Sequence, residues 1–223
     1  MHSSLAKLNL VQNNVNEIVE NKQLKNNPNI IVVTKKFSLD KITPLLDSGH
    51  IHFGENKLQE AESKWIGAKK NYTNVKLHMI GKLQSNKAKK AVKIFDYIHS
   101  LDNAKLASKI SQHEKELNKK TKLFIQVNIA SEPQKSGIQL NELDKFYYYC
   151  TKVLSLDIIG LMCLPPASSD PNEHFITLKS IAIKLNLKDL SMGMSSDYME
   201  ATLNGATYLR LGTIILGQRE SVI

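Results

Sequence analysis

Arginine is nearly absent from this 223-residue chain: only Arg210 and Arg219 occur, against 28 lysines. The formal net charge is +9, and a basic chain invites a nucleic-acid partner, because cationic side chains neutralise phosphates and release counterions. The way the charge is made argues otherwise. Nucleic-acid readers favour arginine for bidentate contacts and pair it with exposed aromatic rings. Here aromatics are 6% of the residues and sit mostly inside apolar segments, so no nucleic-acid role is expected. The densest lysine block, from Lys82 to Lys93, reads as a solvated helix face.

Cysteine is as scarce. Cys150 and Cys163 show neither metal-ligand spacing nor a disulfide framework, so neither a metal nor secretion is indicated. No apolar run approaches the roughly 20 residues of a membrane span, and the opening MHSSLAKLNLVQNN lacks a signal peptide's apolar block. A cytoplasmic protein without membrane contact is the expectation. Also missing is a G-x-G-x-x-G run after a strand-like segment, the fingerprint of dinucleotide-binding open sheets.

What is present alternates. At 42% hydrophobic and 23% charged the composition is that of an ordinary globular domain. Leu5, Leu8, Val11, Val15, Ile18 and Val19 recur at three- and four-residue spacings, which predicts an amphipathic helix at the start. Asn26, Asn27 and Pro28 break it, and the β-branched run from Ile30 to Val33 predicts a strand buried on both faces. Further strands are predicted near 51–54, 76–80, 96–100, 122–128, 157–162, 189–192 and 207–211, with helices between them near 39–48, 57–68, 86–94, 103–118, 140–154, 172–186 and 197–204. Eight strands alternating with helices predict an α/β fold, a single (β/α)₈ TIM-type barrel over residues 1–223. Too few residues follow the last strand for a full outer helix, so the extra N-terminal helix is expected to fill that place.

In such a barrel the functional groups cluster at the C-terminal ends of the strands, and phosphate often binds after strands seven and eight. Lys35 ends the first strand and can act as a Schiff-base amine; Lys36 is its rival, but successive side chains face opposite ways, so only one points inward. Ser195, Gly212 and Thr213 suit an oxyanion cradle at the far end of the ring, although Ser195 or Asp197 also fits a helix cap. Asn56 fits a cap as well. His78, between Leu77 and Met79, fits a satisfied interior histidine better than a catalytic base. Arg210, between Leu209 and Leu211, needs a partner wherever it is buried. An amine, phosphate donors and a cation together suit pyridoxal phosphate.

The segments VVTK (Val32 to Lys35), HFGENKLQE (His52 to Glu60), LHMIGKLQSNK (Leu77 to Lys87), KSGI (Lys135 to Ile138), GLMCLPP (Gly160 to Pro166), LSMGMSSDYMEA (Leu190 to Ala201) and RLGTIILGQR (Arg210 to Arg219) resemble the pyridoxal-phosphate homeostasis proteins, in order and over nearly the whole chain. The resemblance implies a barrel like the N-terminal domain of alanine racemase, with pyridoxal 5'-phosphate held as a Schiff base on Lys35. By motif, Ser195, Gly212 and Thr213 look like the phosphate site, Arg210 like the partner of the ring nitrogen, and Asn56 and His78 like residues near the ring. Lys57 and Lys82 depart from the family pattern and bear on local loop contacts.

The resemblance leaves a carrier or a racemase-like enzyme open. An arginine against the ring nitrogen disfavours its protonation and weakens the ring as an electron sink. The sequence also leaves no room for the C-terminal β-domain through which the similar racemase pairs with a partner subunit. The expectation is a cofactor carrier with no catalytic residue, a monomer that holds pyridoxal phosphate and delivers it to PLP-dependent apo-enzymes.

Overall fold

Helix α1 (Ser3–Asn21) starts where the His2 side chain accepts the Ser4 backbone N–H, and it buries Leu8, Val11 and Val15 along one face. Strand β1 (Asn29–Val33) follows, buried after its first residue. The chain then alternates through α2 (Leu39–Asp47), β2 (His52–Glu55), α3 (Leu58–Asn71), β3 (Lys76–Met79), α4 (Ala88–Ile94), β4 (Tyr97–Leu101), α5 (Ala104–Leu117) and β5 (Lys122–Val127). The second half holds α6 (Leu143–Tyr148), β6 (Ile158–Cys163), α7 (Pro171–Lys184), β7 (Asp189–Ser191), α8 (Tyr198–Leu203), β8 (Tyr208–Leu211) and a four-residue helix α9 (Thr213–Leu216). This computed structural model describes residues 2–25, 27–132 and 134–218. Asn26 in the predicted break and Arg219, which closes the last motif, lie outside the described residues.

The strands form a closed parallel barrel in sequence order, and β8 returns to pair with β1, Ile31 opposite Arg210 and Val32 opposite Leu211. The eight-stranded TIM-type barrel is therefore as expected. Helix α1 packs against α8, α9 and α2, and so covers the seam where a full trailing helix would lie. Two predicted helices differ: the one at 86–94 opens with a 3₁₀ turn (Ser85–Lys87) before α4, and the other changes more. The segment 140–154 is a 3₁₀ turn (Leu140–Glu142), then α6, then a widened π turn (Tyr149–Val153), in which the Leu154 N–H reaches back to the Tyr149 carbonyl. Apolar spacing reports which face is buried and is blind to such a change in hydrogen-bond ring size. Among the described residues no helix is long and apolar enough to cross a membrane.

The main core lies between sheet and helices, and a separate cluster of Ile31, Tyr97, Phe124, Met162 and Tyr208 fills the barrel interior. Barrel interiors are usually layers of branched apolar residues. This one also carries polar groups, because His78, His99, Ser191 and Arg210 are all buried.

Candidate functional site

The strand ends open into a cleft of about 430 Å³ whose walls include Lys35, Asn56, Ser195, Arg210, Gly212 and Thr213. Six of the seven sequence-derived candidates thus meet in one place. His78 is the exception. Along β3 the inward positions are His78 and then Ile80; Ile80 reaches the cleft wall, whereas His78 lies beneath it, fully buried. Closure of the ring corrects one further expectation: β8 is the neighbour of β1, so the Gly212–Thr213 donors stand beside the strand that ends in Lys35 and not across the barrel from it.

Strand alternation aims Lys35 as predicted. Ile31 faces the interior, and Val33 and Lys35 face the cleft. Lys36 turns away with φ +65°, a left-handed conformation that costs a non-glycine residue of order 1 kcal/mol. Its backbone N–H donates to the Glu60 carboxylate. The same carboxylate accepts from Lys64 Nζ at 3.0 Å, which also donates to the Thr34 carbonyl at 2.7 Å and to Glu55 at 2.8 Å. Glu55, with no exposed surface, additionally accepts from Thr34 Oγ1 at 2.6 Å and Trp65 Nε1 at 2.9 Å. This buried knot ties the Lys35 turn to β2 and α3. Sequence reasoning missed it; its only local signal was Glu60 and Lys64 four apart on one helix face.

Asn56 does not cap α3, whose first flanking residue is Lys57. Its Oδ1 is buried with no hydrogen-bond partner among the described residues, an open acceptor at the cleft that carries a cost. Gly81 makes room for this loop, since a Cβ there would stand 2.3 Å from the Asn56 carbonyl oxygen. Ser195 does not cap α8 either. Asp197 turns its carboxylate back to the Met194 N–H, and the Ser195 hydroxyl accepts from the Gly212 and Ile214 N–H groups at 3.3 and 3.4 Å. Two backbone donors therefore converge on an oxygen acceptor at the cleft, with the Ser196 and Thr213 side chains beside them. Gly193 enables the turn: it has φ +88°, and a Cβ would lie 2.5 Å from that of Ala201.

Arg210 is 4% exposed, and its guanidinium donates to Ser191 Oγ at 2.7 Å and to the Cys163 carbonyl at 2.9 Å. Burial pulls its pKa down, and the nearby Asp197 opposes that. Among the described residues no carboxylate forms an ion pair with it. Cys163 is no nucleophile, because burial pushes its thiol up to about 12. An amine, a cation and converging neutral donors around an apolar-walled cleft can hold a small aldehyde-bearing phosphate ester.

A barrel with a lysine at the end of its first strand and converging backbone donors at its last defines a class, and the sequence profile of the alanine racemase N-terminal domain matches residues 7–220. The chain belongs to that family. It is 39% identical to the pyridoxal phosphate homeostasis protein of Synechocystis sp., over 85% of this chain and 91% of that one. The protein of the same name from Escherichia coli K12 is 32% identical, over 86% of each chain. Among solved structures, PipY of Synechococcus elongatus, determined with PLP bound, superposes with a TM-score of 0.80 at 32% identity, covering 91% of this chain and all of that one. Alanine racemase of Clostridium difficile shares the fold, with a TM-score of 0.69 at 16% identity.

Proposed function

We propose that this chain, a single barrel domain over residues 1–223, binds pyridoxal 5'-phosphate at Lys35 and serves intracellular cofactor homeostasis as a carrier. The observation that carries the reading is the meeting of Lys35, Arg210 and the Ser195–Gly212–Thr213 donors in one cleft. The names of the relatives and the PLP-bound PipY structure support it.

The bound cofactor supplies a reactive aldehyde on an electron-withdrawing ring. Lys35 would hold the cofactor through its amine, which would condense with that aldehyde and release one water. Ser195, Thr213 and the backbone donors at Gly212 and Ile214 receive the phosphate dianion. The orphan Asn56 Oδ1 suits the ring hydroxyl, which would donate to it. Arg210 would hold a permanent cation near the ring nitrogen, where a second positive charge would be disfavoured. That arrangement retains the cofactor and weakens the electron sink a racemase requires, so a carrier is favoured over an enzyme. A cytoplasmic monomer that hands the cofactor to PLP-dependent apo-enzymes completes the reading.

Borohydride reduction of the PLP-loaded protein should fix the cofactor's mass on Lys35, and Lys35→Ala should be colourless; modification at Lys36 would overturn the assignment. Single-enantiomer amino acids in deuterated water should show no catalytic α-proton exchange. Exchange at about 1 per second or faster would defeat the carrier reading.

A further inference from the structure

Beneath the cleft a hydrogen-bonded row crosses the barrel interior from β2 through β3 and β4 to β7 and β8. His52 Nδ1 lies 2.9 Å from His78 Nε2, His78 Nδ1 lies 2.9 Å from His99 Nε2, and His99 Nδ1 lies 2.8 Å from Ser191 Oγ. Arg210 Nη1 closes the row by donating to the same Ser191 oxygen at 2.7 Å. His78 stacks on Tyr97 and His99 on Phe124, at centroid separations of 4.2 and 4.3 Å, so each ring is fixed from its face as well as its edge.

The proton positions along the row follow from its end. A guanidinium only donates, so Ser191 must accept from it and send its own proton to His99 Nδ1. His99 then carries its proton on Nε2 and donates to His78 Nδ1; His78 in turn donates through Nε2 to His52 Nδ1. All three rings are held neutral: burial is the largest cause, and each protonated ring would also face positive neighbours. His99 faces Arg210 and His52; His78 faces His99, His52, His50 and Lys69; His52 faces His50 and Lys76, opposed by the Asp96 carboxylate. In this sense of the row every imidazole turns the negative end of its dipole towards Arg210.

We propose that Ser191, His99, His78 and His52 are positioning residues for Arg210, a neutral row of one direction that fixes the guanidinium and stabilises its charge with oriented dipoles in place of a carboxylate. A carboxylate would stabilise the cation equally but cancel its field. The neutral row leaves Arg210 without an ion pair, Asp197 acting on it only without contact, so its charge is directed at the cleft, where, on the proposed function, it keeps the cofactor's ring nitrogen unprotonated.

Two measurements test this separately. In the cofactor-free protein, ¹⁵N shifts of the histidine rings should show neutral Nε2–H tautomers at positions 52, 78 and 99 between about pH 6 and 8, and Ser191→Ala should shift the His99 ring towards a tautomer mixture. Nδ1–H or cationic rings in the wild-type protein would overturn the proposal. In the loaded protein the cofactor's absorbance should be independent of pH. His99→Phe, which keeps the stack on Phe124, should introduce a pH-dependent transition and weaken binding roughly tenfold, and His99→Gln, whose amide can both accept and donate, should restore the flat profile. A flat profile in a folded His99→Phe protein would also overturn it. A wild-type chain with the stated tautomers that takes up no cofactor would refute the binding reading and leave the row's support of Arg210 standing.

Discussion

At the residue scale, parity and scarcity made Lys35 and Arg210 legible. Strand alternation admits only one of two adjacent lysines to the cleft, and an arginine on an interior strand of a chain that otherwise avoids it demands a reason. Glu55 and Lys64 offered no such handle. Lys64 is one lysine among 28, and its role exists only because α3 folds back over the ends of β1 and β2. Its side chain is 7% exposed and its ammonium touches a carboxylate with no exposure. Removing one partner of a buried pair strands the other charge, a change of about 3–5 kcal/mol. Lys64→Met should therefore lower the urea-unfolding free energy by that order and, by loosening the Lys35 turn, weaken PLP uptake. Glu55→Gln together with Lys64→Met should recover part of the loss, because the fully buried carboxylate is then gone and only the partly exposed Glu60 is left without its ammonium partner. A Lys64→Met protein of unchanged stability would show that the knot is not a structural support.

At the element scale, the eight strands and most helices were readable because two periods, near two and near 3.6 residues, alternate along the chain. The helix before β1 mattered most. With only the short α9 observed after β8, the apolar outer surface of the β8 to β1 seam needs another cover, and α1 supplies it through Leu8, Val11 and Val15. Deleting buried methyl groups there should open a cavity that the rigid sheet cannot collapse into. Leu8→Ala is expected to cost about 2–3 kcal/mol, read as a lower denaturation midpoint with an unchanged slope. A cost near zero would mean that α1 rests loosely on the seam. The irregular 140–154 segment was not legible, because its buried face is continuous across three kinds of helical turn. Ser195 and Asn56 were ambiguous for a related reason. Capping residues and cleft residues share a chemistry, and only the tertiary direction of Asp197 and the position of Lys57 decided between them.

At the scale of the whole molecule, the polar row in the interior ties stability to pH. His78 and His99 lie fully buried and are held well below the ordinary histidine value near 6.5; His52 is lowered to about 4, in each case chiefly by burial. The unfolded chain takes up these protons as pH falls through about 6.5, whereas the native barrel does not, so the unfolded state binds more protons and acid favours it. Their stabilisation is complete above about pH 6.5 and declines as pH drops towards the folded values. Each histidine protonated only in the unfolded state adds a slope of about 1.4 kcal/mol per pH unit. Two groups oppose this, since burial raises Glu114 and Asp189 and makes the native state the better proton binder there. Glu116, held at about 2 by His113 and Gln112, loses its contribution only as pH falls below the ordinary carboxylate range, outside the histidine window. Cofactor-free protein should therefore lose several kcal/mol of unfolding free energy between about pH 7 and pH 5, and a His78→Leu, His99→Phe double variant should lose distinctly less over the same interval, whatever its starting stability. Equal slopes for the two proteins would place the acid sensitivity elsewhere, because a merely structural row changes the height of that curve and only a titrating one changes its slope.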